Sequence, residues 1–289
     1  MCVTCGCSDQ AQPTLTDMQT GQVNAIAPDV PAEHSHTHTL PDGTVISHTH
    51  DHADDTRHNH TDRPSAATTH AQVHHTTLTL EQNLLDKNDR IAAENRGWLR
   101  GRNTVALNLV SSPGAGKTTL LVRTIQDLQP TLPISVIEGD QETTHDADRI
   151  QATGCSAVQV NTGTGCHLEA SMVRHGLQTL DPPLNSLVMI ENVGNLVCPA
   201  LFDLGEQAKV AILSVTEGED KPIKYPHMFR ASQVMILTKT DLLPYVPFDV
   251  DRCLDYARQV NPNLTIFQVS ATTGAGLAEW YDWLMAQCH

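Results

Sequence analysis

Short apolar runs alternate with segments of helical spacing along most of the chain. Seven runs are strand candidates, at residues 105–110, 134–138, 157–160, 187–191, 210–214, 234–238 and 265–269. Helical patterns fall between most of them, at 118–128, 168–180, 250–260 and 276–286. Because strands that alternate with helices pair in parallel, this order predicts an α/β fold with a doubly wound, mainly parallel sheet. An amphipathic helix is predicted ahead of the sheet, where apolar residues recur among charged ones at Leu80, Leu84, Leu85, Ile91 and Leu99.

The first 77 residues follow a different pattern. They contain no Phe, Tyr, Trp or Lys, and their two arginines are Arg57 and Arg63. A segment so poor in large apolar groups cannot bury enough surface to offset the entropy of ordering its backbone. We therefore predict a flexible N-terminal tail at residues 1–77 and a globular P-loop domain at residues 78–289.

Charge and composition exclude several classes of protein. The 18 Lys and Arg residues are outnumbered by 33 Asp and Glu, and the formal net charge of −15 argues against nucleic-acid binding. No apolar run approaches the length of a membrane span. The first residues lack the basic and apolar regions of a secretory signal, so we expect a cytoplasmic protein. In that reducing compartment the eight cysteines are candidates for metal or redox chemistry.

The strand at 105–110 leads into a glycine-rich turn and then a Lys-Thr pair, which is the context of a P-loop. Gly114 and Gly116 allow backbone N–H groups to surround phosphate oxygens, and the following helix adds its positive end. Lys117 is expected to pair with the β and γ phosphates, and the Thr118 hydroxyl to ligate Mg²⁺. The alternative is an ordinary strand-to-helix turn. The phosphate-binding candidates are Gly114, Ala115, Gly116, Lys117, Thr118 and Thr119.

A base-recognition motif is predicted after the strand at 234–238, where Lys239 and Asp241 follow Thr238. The Asp241 carboxylate can accept hydrogen bonds from N1–H and from the exocyclic amine of guanine, whereas adenine lacks both donors at those positions. The usual first residue of this motif is Asn, and here it is Thr238. Ser270 and Ala271, after the last strand, are placed for backbone contacts to the guanine oxygen. The nucleotide is therefore predicted to be GTP and its product GDP.

Acidic residues stand at the carboxyl ends of two further predicted strands, where ligands of such sheets bind. Asp140 and Glu191 are candidates to hold Mg²⁺, directly or through water, and Gly194 to offer its N–H to the γ phosphate. The alternative is that these carboxylates only cap the turns that follow. Lys117, Thr118 and Asp140 form the predicted catalytic group. Since no residue stands out as a water-orienting group, we expect slow intrinsic hydrolysis.

Three thiols, Cys2, Cys5 and Cys7, lie within six residues at the start of the chain. With one further donor, such as an exposed N-terminal amine, they could form a four-coordinate plane that suits Ni²⁺, whereas a tetrahedral arrangement would suit Zn²⁺. The alternative is a set of exposed redox-active thiols.

A second donor set comprises Cys166, His167 and Cys198, in two loops predicted to leave the same end of the sheet as the nucleotide loops. Three such donors make an incomplete metal site that a partner subunit, water or His175 could complete. Taken alone, Cys198 would be better explained as a buried core cysteine. The remaining cysteines, which have no comparable neighbours, are expected to be structural: Cys155, Cys253 and Cys288.

Eleven of the sixteen histidines lie between His34 and His75, often two residues apart. Imidazoles spaced this way bind Ni²⁺, Cu²⁺, Zn²⁺ and Co²⁺ with weak selectivity, which predicts metal buffering or storage. The alternative is a linker of biased composition.

Together these motifs resemble the HypB family of GTPases, which insert nickel into [NiFe]-hydrogenase. The resemblance covers the N-terminal cysteines, the histidine-rich insert and essentially the whole chain from Leu84 onward. Its most specific segments are Ser-Ser-Pro-Gly-Ala-Gly-Lys-Thr-Thr at 111–119, Glu-Gly-Asp at 138–140, Asn-Thr-Gly at 161–163, Gly-Cys-His at 165–167, Glu-Asn-Val-Gly-Asn-Leu-Val-Cys-Pro at 191–199 and Thr-Glu-Gly-Glu-Asp-Lys at 216–221. Ser111 departs from the general P-loop pattern in the way that this family does.

The resemblance implies the dimerising class of P-loop GTPases, in which GTP favours a homodimer. It also implies a tight nickel site at the three N-terminal cysteines and a weaker nickel or zinc site, near the dimer interface, at the internal Cys-His-Cys set. Ser171 stands where some relatives carry a further histidine. Family partners are HypA, the hydrogenase large subunit and a SlyD-type prolyl isomerase chaperone.

The sequence therefore predicts a nickel-binding GTPase of hydrogenase maturation, in which nucleotide state and metal affinity are coupled. A related urease-maturation GTPase lacks the cysteine start and carries Cys-Pro-His where this chain has Cys-Pro-Ala at 198–200. A passive nickel store with a vestigial nucleotide fold would bind metal without hydrolysing GTP, and Lys117, Thr118 and Asp241 argue against it.

Overall fold

The protein alternates strands and helices in a computed structural model that describes residues 12–26, 34–39, 45–50, 69–140, 145–163 and 165–288. The strands are β1 Thr14–Asp17, β2 Val23–Ala25, β3 His34–Thr39, β4 Val45–His50, β5 Val105–Ser111, β6 Ile134–Asp140, β7 Ser156–Asn161, β8 Leu187–Glu191, β9 Ala208–Ser214, β10 Val234–Thr238 and β11 Thr265–Gln268. The helices are α1 Thr69–Gly101, α2 Lys117–Leu128, α3 His145–Gln151, α4 Ala170–Leu180, α5 Lys221–Lys224, α6 Pro226–Ala231, α7 Val250–Val260 and α8 Leu277–Gln287. Short 3₁₀ turns cover Cys198–Ala200 and Thr240–Tyr245.

Nine strands form one sheet in the order β11-β10-β9-β5-β8-β6-β7-β1-β2. All neighbours from β11 to β7 pair in parallel, and β1 pairs antiparallel with β7 and with β2. The predicted α/β fold with a mainly parallel, doubly wound sheet is confirmed. The strand β5, which leads into the glycine-rich turn, lies between β9 and β8 near the centre of the sheet.

The strands from β5 to β10 are buried on both faces, and their sequences are therefore nearly continuous apolar runs. Side chains alternate between the two faces of β5. Leu107 belongs to a core cluster that also contains Trp280 of α8. Ala106 belongs to a cluster on the other face that contains Leu99 of α1 and Val173 of α4. Helices therefore cover both faces, and this leaves the strand ends open for a site.

The prediction of a flexible tail through residue 77 is wrong for the segment that forms β1 and β2. Thr14 pairs with Asn161 and Asp17 with Val158, so the two strands extend the main sheet. Leu15 and Ile26 are buried beside α4 and β7, and their burial offsets the entropy of ordering this short segment.

The described residues fall into two compact units, one containing residues up to 26 and from 81 onward, the other containing residues 27–80. In the smaller unit β3 and β4 form an antiparallel hairpin that pairs His34 with His50 and His36 with His48. The helix α1 confirms the predicted helix ahead of the sheet. It begins at Thr69, so the predicted flexible tail is also wrong for residues 69–77, which belong to this helix. Within the described ranges, no helix combines the length and apolarity required to cross a membrane.

Candidate functional site

The turn between β5 and α2 has the backbone geometry of a phosphate-binding loop. Gly114 has φ +75° and Gly116 has φ +89°, conformations that other residues rarely adopt. Gly116 is the N-cap of α2 and has no side chain with which to occupy the first N–H groups of the helix. Those groups and the positive end of the helix can therefore bind an anion.

A cavity of about 450 Å³ lies in front of this turn, a size that accommodates a small ligand. It is lined by many of the predicted nucleotide residues, namely Gly114, Ala115, Gly116, Lys117, Thr118, Thr119, Asp140, Glu191, Gly194 and Lys239. Glu138, Asp146 and Arg149 also line it; Glu138 was noted only as part of the Glu-Gly-Asp segment, and the sequence predicted no site role for any of the three.

Glu191 connects two of the predicted phosphate and magnesium residues. Its Oε1 accepts hydrogen bonds from Lys117 Nζ at 2.7 Å and from Thr118 Oγ1 at 2.6 Å. Glu191 is buried at the end of β8, and its Oε2 has no hydrogen-bond partner among the described residues. A buried, unsatisfied carboxylate oxygen beside a threonine hydroxyl suits a hard cation.

Glu138 is a second buried carboxyl group in the cavity wall. It is 2% exposed and its Oε2 finds no partner in the described part of the chain. Burial, followed by the nearby charges of Glu191 and Asp140, raises its pKa to about 8. The available sequence signal was a glutamate inside an otherwise apolar strand, two residues before Asp140.

The loop after β8 packs directly against the phosphate-binding turn. A Cβ on Gly194 would lie 3.1 Å from Cγ and 3.2 Å from N of Pro113. This close approach favours glycine at the position and brings the Gly194 backbone to the cavity that was predicted to hold the γ phosphate.

The short helix α3, which the sequence pattern did not reveal, adds an arginine to the cavity wall. Arg149 Nη2 donates to Thr119 Oγ1 at 3.1 Å, and its Nη1 lies 3.4 Å from Asp146 Oδ1. The guanidinium therefore stands beside the start of α2, where phosphate charge is expected.

The predicted base-recognition residues form a second, adjacent group. Lys239 has φ +59° and donates from Nζ to Gly114 O at 2.7 Å. Thr238 Oγ1 donates to Ala115 O at 2.6 Å, so the threonine that replaces the usual asparagine ties this loop to the phosphate turn. Asp241 Oδ1 accepts a hydrogen bond from Ser270 Oγ at 2.6 Å. The structure thus brings Asp241 and Ser270 together beyond the cavity that the phosphate residues line.

The Ala271 backbone is held by α2, because Arg123 Nη1 donates to Ala271 O at 3.0 Å. This contact fixes the loop after β11 against the helix that follows the phosphate turn.

The ligand atoms of Cys166, His167 and Cys198 lie within 4.8 Å of one another. The two sulfur atoms are 3.0 Å apart, and Cys166 Sγ lies 3.6 Å from His167 Nδ1. The structure therefore brings together the donor set predicted from two separate loops. His175 lies outside this group, and its Nδ1 is 2.7 Å from Ser171 O in its own helix.

The surroundings of His167 favour a neutral ring that can bind a metal. Burial lowers its pKa to about 4, and its buried Nε2 has no hydrogen-bond partner among the described residues. The ring of Phe202 lies against it, with ring centroids 4.0 Å apart. A neutral imidazole and two thiols are the donors expected for nickel or zinc.

The other cysteines have different environments. Cys155 and Cys253 are buried, and burial raises the pKa of their thiols to about 11 and about 12. These surroundings agree with the structural role expected from the sequence. Cys2, Cys5 and Cys7 lie outside the described residues, as do several histidines of the tract.

Comparison with known proteins points to one family. The sequence model of the CobW/HypB/UreG nucleotide-binding domain matches residues 105–268. The hydrogenase maturation factor HypB of Azotobacter vinelandii is 60% identical over 210 residues, which are 73% of this chain and 69% of that protein. HypB of Cupriavidus necator is 43% identical and the match covers 99% of this chain and 88% of the relative. The crystal structure of HypB from Helicobacter pylori in complex with nickel matches with a TM-score of 0.65 and 36% identity, over 70% of this chain and 95% of that one.

Proposed function

This chain belongs to the CobW/HypB/UreG family, among the HypB hydrogenase maturation factors, and from that premise we propose that it is a GTPase that delivers nickel to [NiFe]-hydrogenase. One observation carries the proposal. The strand β8 ends at Glu191, beside Lys117 and Thr118, and the segment that follows it reaches Cys198, beside Cys166. The segment from Glu191 to Cys198 therefore connects the proposed nucleotide site directly to the proposed metal site.

The phosphates of GTP bind in the cavity at the start of α2. Backbone N–H groups of the glycine-rich turn and the Lys117 ammonium neutralise their charge. The oxygens of Thr118, Glu191 and Asp140 suit Mg²⁺, and the unsatisfied Oε2 of Glu191 supports this assignment. Bound Mg²⁺ supplies charge stabilisation on the transferring phosphoryl group.

Guanine is selected by Asp241, whose carboxylate accepts from the two N–H donors on the base edge. The Ser270 hydroxyl donates to Asp241 Oδ1 and orients this carboxylate. Backbone groups of Ser270 and Ala271 contact the guanine oxygen. Adenine lacks donors at these positions, so ATP is a poor substrate.

Hydrolysis to GDP and phosphate relies on charge stabilisation by Lys117 rather than on a strong general base. We expect a turnover below about 1 s⁻¹, the lower edge of typical enzymes.

The metal cargo is held by Cys166, His167 and Cys198, which accept Ni²⁺ or Zn²⁺ and need a further ligand. Val197 and Leu201 are 57% and 60% exposed on either side of Cys198. Exposed apolar residues beside an incomplete site support a homodimer, favoured by GTP, around this cluster.

The N-terminal cysteines supply a tighter nickel site, and the histidine tract buffers further metal. The partners proposed for delivery are HypA, a SlyD-type chaperone and the hydrogenase large subunit, all in the cytoplasm.

The proposal is tested by nickel titration and GTP hydrolysis on the full chain and on three variants. One carries Cys2→Ala, Cys5→Ala and Cys7→Ala, the second carries Cys166→Ala and Cys198→Ala, and the third is Asp241→Asn. The N-terminal variant is expected to lose a tight, thiolate-coloured nickel site and to retain GTPase activity. The Asp241→Asn change removes a charged acceptor from two hydrogen bonds and should weaken GTP binding at least about tenfold, without altering nickel stoichiometry.

The outcomes separate the parts of the proposal. Equal nickel binding by the wild type and the N-terminal variant would place the metal chemistry elsewhere in the chain. Metal binding by a wild-type protein that hydrolyses no GTP would indicate a passive store.

A further inference from the structure

Four buried polar side chains connect the loops that carry the internal metal ligands to the strand end at the nucleotide cavity. They are Asn108 on β5, Asn192 just after β8, Glu206 before β9, and Lys209 on β9. Each is less than 10% exposed. Asn192 lies in the family segment at 191–199, but the sequence predicted no role for it, and Asn108, Glu206 and Lys209 belong to none of the motifs.

The four side chains form a continuous series of contacts. Asn192 Nδ2 donates to Asn108 Oδ1 at 3.2 Å, and Asn108 Nδ2 donates to Glu206 Oε1 at 3.1 Å. Lys209 Nζ lies 3.8 Å from the same Glu206 oxygen. The series therefore crosses from the end of β8, through β5, to β9.

At one end, Lys209 holds the loop that carries Cys198. Its Nζ donates to Pro199 O at 2.7 Å and to Phe202 O at 3.1 Å. Pro199 follows Cys198 directly, and the Phe202 ring packs on His167. The ammonium thus holds the backbone that follows Cys198 and the backbone of the residue whose ring packs on the imidazole.

At the other end, Asn192 holds the loop that carries Cys166 and His167. Its Oδ1 accepts from Leu168 N at 3.1 Å, immediately after His167, and from Val193 N at 3.0 Å. Asn192 also follows Glu191, which contacts Lys117 and Thr118 in the cavity. The Asn192 side chain therefore contacts the loop of Cys166 and His167, and its backbone continues directly from the strand end at the nucleotide site.

Stability alone does not explain a buried lysine and glutamate here. Burying two charged groups costs free energy because they lose their hydration. Apolar residues of similar volume often give a fold the same stability or more. What the charged pair provides is directional bonding to specific carbonyl groups, which sets the geometry of the loop.

We infer that Lys209 and Glu206 are positioning residues for the Cys166, His167 and Cys198 site, and that Asn108 and Asn192 link its geometry to the nucleotide cavity. This inference rests on the proposed function, because it assumes metal binding at that site and guanine nucleotide in the cavity. It adds the residues through which one site affects the other.

The test uses the full chain with Cys2→Ser, Cys5→Ser and Cys7→Ser, so that thiolate-to-nickel absorption reports the internal site and not the histidines. Ni²⁺ is titrated with GDP and with a non-hydrolysable GTP analogue. The variants are Lys209→Met with Glu206→Gln, and separately Asn108→Leu. The matched control is Lys224→Met, which removes an exposed ammonium.

The paired Lys209 and Glu206 variant is expected to bind Ni²⁺ about 10- to 100-fold more weakly, the usual effect of losing outer contacts to metal ligands. Asn108→Leu is expected to bring the ratio of nickel affinities in the two nucleotide states towards one. Both variants should keep the wild-type affinity for GDP, measured by fluorescence of a labelled nucleotide, as should Lys224→Met. A role limited to folding would not change that ratio selectively.

Wild-type nickel affinity in the folded paired variant, or an unchanged nucleotide-state ratio in Asn108→Leu, would overturn the inference. If the paired variant does not fold, the ratio of nickel affinities with GDP and with the GTP analogue in Asn108→Leu decides whether the inference holds. If the parent chain shows no thiolate-to-nickel band at all, the internal nickel site of the proposed function fails instead, and the two failures are distinguishable.

Discussion

Glu138 shows, at the scale of one residue, how the cavity wall keeps a buried carboxyl group protonated. Its carboxyl group is buried near Glu191 and Asp140, and its pKa of about 8 lies above the ordinary value of 4.5. The folded protein therefore retains a proton that the unfolded chain releases between these values. The free energy of unfolding carries no penalty from Glu138 below pH 4.5 and falls as pH rises towards 8.

Glu138→Gln is therefore expected to stabilise the nucleotide-free protein increasingly with pH, because glutamine remains neutral throughout. The stability advantage over wild type should grow by up to about 3 kcal/mol between pH 5.5 and pH 8, measured by urea unfolding. The control is Glu279→Gln, which changes an exposed glutamate in the first turn of α8. An advantage that is independent of pH would show that Glu138 is ionised in the fold.

Single residues were predictable where local chain geometry determines their role. The glycines and Lys117 of the phosphate turn lie next to each other in sequence, so one short pattern identifies them. Glu138, Arg149 and Asn192 gain their surroundings from strands and helices that are distant in the chain. No local spacing could reveal those contacts.

At the scale of elements, α1 holds the two segments that follow the proposed metal ligands His167 and Cys198. Asn95 Nδ2 donates to Ala170 O at 2.8 Å and to Leu204 O at 3.0 Å. Asn88 accepts from Ala170 N at 2.9 Å and donates to Asp203 O at 2.7 Å. One helix therefore satisfies the backbone at the start of α4 and in the segment after Cys198.

Asn95→Ala is expected to lower the free energy of unfolding by about 3 kcal/mol, since two buried carbonyl groups lose their donor. Asn83→Ala, an exposed change on the same helix, should have an effect within about 0.5 kcal/mol. Both variants replace asparagine by alanine in the same helix, so the difference in helix propensity cancels when their stabilities are compared. Equal urea midpoints for the two variants would show that α1 does not hold these loops.

Most elements of the sheet could be predicted because parallel strands buried on both faces are short, dense apolar runs. β1 and β2 could not be predicted in this way. Leu15, Met18 and Ile26 are separated by polar residues, and their stability comes from pairing with β7, more than a hundred residues away. The α3 helix was missed because its seven residues are mostly polar.

At the scale of the whole molecule, the N-terminal strands complete one side of the sheet. Leu15, Met18 and Ile26 are buried there, and Met18 N donates to Ala157 O at 3.2 Å. Without them the edge of β7 and the apolar surface beside it would meet water.

A chain that lacks residues 1–26 is therefore expected to be less stable than one that lacks residues 1–11, by about 3 kcal/mol after the entropy of ordering the strands. Thermal and urea unfolding of the two truncated chains would measure the difference. Since both lack the N-terminal cysteines, loss of the metal site proposed there cannot explain the difference. Equal stability would show that β1 and β2 add nothing to the domain.

The order of the strands also predicts that different parts of the nucleotide site open with different ease. β5, which carries the phosphate turn, has paired strands on both sides, whereas β11, which precedes Ser270 and Ala271, is an edge strand with partly exposed residues. Local openings are drawn from edges and poorly buried segments, so amide hydrogens of β5 should exchange far more slowly than those of β11. The end of the site proposed for guanine is then expected to loosen while the end proposed for the phosphates keeps its shape, so a departing nucleotide is expected to leave base first.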